Sequence, residues 1–161
     1  YFWDKLVANN EMIARYNPVG AVKTMKDIAM EKYHAMEHRY PSKVELIDSI
    51  GYDPKQLHHL LRVEEHIKRY VNGENYADCL MSNQSDYLRE VKSLVKGVPY
   101  YRLDQAKILA DLSLGTTNAI ADEFAAAHKD DPVDERVDIL LDETQREIMK
   151  LGIELEMQKG E

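Results

Sequence analysis

Apolar side chains recur along this chain at three- and four-residue intervals rather than in alternation, the periodicity of helices that bury one face. Phe2, Leu6, Ile13 and Tyr16 form a first stripe, which predicts a helix closed by Asn17-Pro18-Val19-Gly20. A second helix is predicted from about Ala21 to His38, ending where Tyr40-Pro41 demands extended backbone. Ser42 is placed to cap a short helix over 43–50, with Gly51 suited to the left-handed position past its end.

Asp53-Pro54 is a helix start, because Asp accepts from free N–H groups and Pro fits the first helical position. That helix is predicted to reach Val71 and stop at Asn72-Gly73. Residues 74–84 are polar and aperiodic and read as loop, followed by a helix from Ser85-Asp86 that Gly97 closes. Val98 to Tyr101 reads as an extended connector. A long helix then runs from about Leu103 to His128, with Leu109, Leu112, Ile120 and Phe124 among its buried positions and Gly115-Thr116-Thr117 a candidate bend. Asp131-Pro132 repeats the cap logic ahead of a last helix in which Val137, Leu141, Thr144, Ile148, Leu151 and Leu155 follow near-heptad spacing and call for a partner helix. The expected fold is all-α, a bundle of about six or seven helices ending in a long helix hairpin.

With 161 residues, 44% of them hydrophobic and 31% charged, the chain has the size and balance of one folded domain. Its single cysteine, Cys79, excludes an internal disulfide, and no apolar run approaches the roughly 20 residues that span a bilayer. The expectation is a cytoplasmic protein without a membrane partner. The start at Tyr1-Phe2-Trp3, with no initiating Met, suggests the C-terminal part of something longer. The formal charge of −8 is localised: residues 1–120 hold 16 acidic and 16 basic side chains, residues 121–161 hold 13 and 5. An acidic tail disfavours nucleic-acid binding through that surface and directs the search for an anion site to the first 120 residues.

Within 53–73, Lys55, His59, Arg62, His66 and Arg69 fall inside an arc of about 80°. Leu57, Leu60, Leu61, Ile67 and Val71 lie opposite, and Glu64 interrupts that apolar arc. Five cationic or titratable groups on one face can hold a phosphate or other anion. They can equally form a solvated face, or one paired with the acidic last helix.

His34, Glu37 and His38 spell an H-x-x-E-H order that could hold a metal, although the dipole at a helix end also favours histidine there. Tyr100 and Tyr101 could stack on a base or sugar, or simply anchor the following helix. Cys79 has no basic neighbour in sequence that would activate it as a nucleophile. No phosphate-binding glycine loop, H-E-x-x-H or G-x-S-x-G is present.

The run SIGYDPKQLHHLLRVEEHIKRYVNGE, residues 49–74, resembles the C-terminal helical region of DNA polymerase β-like nucleotidyltransferases, especially predicted members from bacteria and phages. Those proteins carry a Gly-Tyr-Asp-x-Lys stretch, a His four residues on and an Arg three further, matched here by Gly51, Tyr52, Asp53, Lys55, His59 and Arg62, with Gly73 matching the glycine after the helix. MEHRYPSK upstream and Val95-Lys96-Gly97 downstream extend the likeness loosely over residues 20–125.

The resemblance implies a two-part enzyme in which an N-terminal α/β domain, absent here, supplies metal-binding carboxylates and Mg2+, while the helical part completes the site for a nucleoside triphosphate. Lys55, His59 and Arg62 would contact phosphates, with His66, Arg69, Tyr100 and Tyr101 as further contacts. The family's Gly-Ser turn and Asp-x-Asp pair are missing, so this chain alone should be inert and carry no cofactor. A different expectation is a non-enzymatic module that associates through its last helix, with itself or with another protein.

Overall fold

The computed structural model describes residues 2–159 and is built of helices, with one small hairpin. Contacts divide the described residues into two compact units, one of residues 2–18 and 130–159, the other of residues 19–129.

The larger unit is organised around α5 (Pro54–Val71), which packs chiefly on α8 (Leu103–Ala127) and also against α7 (Ser85–Val91). Leu57 and Leu60 of α5 meet Ala106 and Ala110 of α8, Val91 of α7, Tyr52, Met36 and Ala29, the last on α3 (Pro18–Ala35). Further along, Ile67 and Tyr70 meet Val22 of α3 and Ala121 of α8. The buried face of α8 is small, made of Ala106, Ala110, Ser113, Thr117 and Ala121, which brings backbones close together. Leu112, expected inside, is 64% exposed, because the buried stripe of α8 follows these small residues and not its leucines. The helix continues unbroken through Gly115.

Local chemistry fixes the start of α5. Asp53 accepts a 2.9 Å hydrogen bond from the Lys55 N–H, and Pro54 occupies the first turn. The preceding α4 (Val44–Ile50) ends at Gly51, whose φ of +90° favours glycine and whose hydrogen faces Leu103; a Cβ there would lie 2.7 Å from Leu103 Cδ2. Ser42 does not cap α4, since the cap position falls on Lys43 with no side-chain bond.

Other departures from the expected elements have simple causes. Pro18 opens α3 instead of ending a helix, and α3 stops at Ala35. Within 74–84, Asn75 caps a four-residue helix α6 (Tyr76–Cys79) by accepting from the Ala77 N–H at 3.0 Å. Gly97 does not close a helix: it shares with Lys96 the positive φ needed by a two-residue hairpin turn between β1 (Leu94–Val95) and β2 (Val98–Pro99), which pair antiparallel with Val95 opposite Val98.

In the smaller unit the predicted first helix breaks at Asn9 into α1 (Phe2–Ala8) and α2 (Asn10–Ala14). The last helix, α9 (Glu135–Lys159), starts after Asp134, which accepts from the Arg136 N–H at 3.1 Å; the cap is therefore Asp134 and not Asp131. Tyr16 donates to Asp138 at 3.0 Å, and Lys5 reaches Glu143 and Glu147 at 3.5 Å each, so the segment from Lys5 to Tyr16 runs antiparallel to the first half of α9. Val137, Leu140 and Thr144 are buried there. Among the described residues no helix is long and apolar enough to cross a membrane.

Candidate functional site

The polar face of α5 divides into two halves with different surroundings. In the second half, residues 74–83 descend onto the cations. Arg62 donates to the Cys79 carbonyl at 2.7 Å; Arg69 donates to the Met81 carbonyl and to the Glu74 carboxylate, the latter at 2.7 Å. Glu65, nearly buried between them, lies 3.5 Å from Arg62 and 3.8 Å from Arg69. Its other contacts run to the segment itself: the Ser82 hydroxyl and the Asn83 N–H donate to it at 2.5 and 2.6 Å. His66 sits beside the rings of Tyr70 and Tyr76, with centroids 6.5 and 5.9 Å away. Burial, followed by Arg62 and Arg69, lowers its pKa below the ordinary histidine value.

Arg62, His66 and Arg69 are thus brought together under a strap of backbone carbonyls. Carbonyls or a carboxylate take up Arg62 Nη2 and Arg69 Nε and Nη1, Arg69 is 9% exposed, and Arg62 Nη1 and His66 Nε2 are shielded from water without a hydrogen bond. Glu64, the acid in the apolar arc, is partnered by Lys68 and lines a shallow groove of about 380 Å³ with Leu61, Asn83 and Tyr87.

The first half of the face is different. His58 and His59 stand edge to face with centroids 4.9 Å apart. The charges of Lys55, Lys32 of α3 and Lys92 after α7 all reach His59, and those of Lys92, Arg62 and Lys55 reach His58. Burial is the first cause of the lowered pKa at both imidazoles, and the neighbouring cations add to it; at His58 the value falls to about 4. Neither Lys55 nor Lys92 has an ion-pair partner among the described residues, and Lys32 pairs with Glu31 at 2.6 Å. The one carboxylate that acts on His59, Asp53, caps α5 and lies 3.2 Å from Lys43. The His58 Nδ1 atom is shielded from water and makes no hydrogen bond.

Lys55 and His59 therefore lie in one cluster of positive charge, whereas Arg62 is turned to the strap. His58, Lys92 and Lys32 were missing from the sequence reading. His58 lies only about 20° beyond the edge of the stripe at 100° per residue and could have been read there, whereas Lys32 on α3 and Lys92 after α7 are distant in sequence, so no spacing within α5 could reveal them.

His34, Glu37 and His38 are not gathered. Because α3 ends at Ala35, the two histidines lack the helical i, i+4 relation; Glu37 pairs with Lys107 at 2.9 Å, and the His38 ring packs on Tyr40 with centroids 4.2 Å apart. Among the described residues no three His, Cys, Asp or Glu side chains are placed to share a metal. Cys79 is buried, with its thiol toward the Glu74 carbonyl at 3.6 Å. Contrary to the sequence reading it has basic neighbours, Arg62 and Arg69, but no access to a substrate.

Tyr101 anchors the start of α8: its carbonyl accepts from the Tyr52 hydroxyl at 2.8 Å, and its own hydroxyl lies 2.9 Å from that of Tyr87. Burial pushes the Tyr52 phenol up to about 12. Tyr100 packs edge-on against Tyr87 and Tyr101, with centroids 6.2 and 4.9 Å away, and keeps about half its surface open. Compared with known proteins, the chain matches no family model, no curated protein and no solved structure.

Proposed function

We propose that this chain is the helical, phosphate-facing part of a DNA polymerase β-like nucleotidyltransferase, and that it meets the triphosphate with the first turns of α5. The observation that carries the reading is the cluster of positive charge around His58 and His59, where Lys55 and Lys92 have no ion-pair partner among the described residues, while the nearby carboxylates Asp53 and Glu31 are held by Lys43 and Lys32. Such crowding is unfavourable in the empty protein and favourable once an anion arrives, since each imidazole then gains a reason to protonate and donate. The resemblance of residues 49–74, which includes Lys55 and His59, agrees with that placement.

In this reading Lys55 and Lys92 supply point charges to phosphoryl oxygens, and His58 and His59 supply N–H donors. Arg62 holds residues 74–83 in place and so shapes one wall. The residues present do not fit a resident Mg2+, because Asp53 is held by Lys43 and by the Lys55 N–H; no metal-dependent step is assigned to this chain. The metal-holding carboxylates of such an enzyme would come from a separate catalytic domain.

The test is calorimetric titration with ATP, inorganic sulfate and adenosine. ATP and sulfate are expected to bind while adenosine does not, and Lys55→Ala with His59→Ala is expected to weaken ATP about thirtyfold, roughly 2 kcal/mol for two charge-assisted contacts. An ATP affinity unchanged in that double variant would remove the phosphate-facing role.

A further inference from the structure

We draw no further inference here: the strongest candidate, the exposed apolar seam of Ile148, Leu151 and Leu155 on the second half of α9, is an unpartnered helix face, and nothing in the structure shows what covers it.

Discussion

The two halves of the α5 polar face present similar residue types at helical spacing, yet only one is tied to residues 74–83. Around Arg62, His66 and Arg69, residues 74–83 bring down the Cys79 and Met81 carbonyls, and Glu65 joins the two guanidiniums to Ser82 and Asn83. Around Lys55, His58 and His59 no loop is brought down in this way: Asp53 is held by Lys43, Lys92 adds charge with no ion-pair partner among the described residues, and Lys32, paired with Glu31, stands near. A cationic stripe therefore has no single meaning. Where oxygens of the chain itself bind its guanidiniums, it is a strap anchor, and where they do not, it is a candidate anion site.

The comparison breaks most visibly at Glu65. Replacing it by alanine strands two partly buried guanidiniums and frees Ser82 and Asn83, so Glu65→Ala should cost about 3 kcal/mol of stability in urea denaturation. Arg62→Ala should cost about 2 kcal/mol through loss of the bond to the Cys79 carbonyl, while ATP affinity changes less than stability does. The reverse ordering would move Arg62 from the strap to the ligand. Lys55→Ala should show the opposite pattern, with stability within about 0.5 kcal/mol of the parent and ATP affinity about tenfold weaker.

The smallest effect is protonic. Folded His58 resists protonation until about pH 4, whereas an unfolded histidine takes a proton near 6.5. Between those values the unfolded chain binds the extra proton, so the His58 contribution is present in full above about pH 6.5 and is lost as the pH falls toward 4. His58→Asn should flatten that part of a Tm-against-pH curve, by about 1 kcal/mol once solvent screening is allowed for. A bound anion acts in the other direction, favouring imidazolium, so sulfate should bind more tightly at pH 5.5 than at pH 8.

The fold was legible where a residue's chemistry is local. Asp53-Pro54 started α5, Gly51 ended α4, and the apolar period of residues 54–71 chose the buried face. It was illegible where the deciding partner is distant in sequence. Leu112 looked buried by type, but α8 packs through its alanines, and Gly97 resembled a helix stop until Lys96 proved to share its hairpin turn. The same limit divides the site. Lys55 and His59 could be read from spacing; the attachment of Arg62 to Cys79, 17 residues on, and the approach of Lys32 and Lys92 could not.

The most direct measurement follows the imidazole signals of His58, His59 and His66 by NMR while sulfate and then ATP are added at pH 6.5. Shifts at His58 and His59 that saturate with each anion, with His66 unmoved beneath its strap, are the expected result. Saturating shifts at His66 with His58 and His59 still would place the anion on the wrong half of α5 and contradict the division described above.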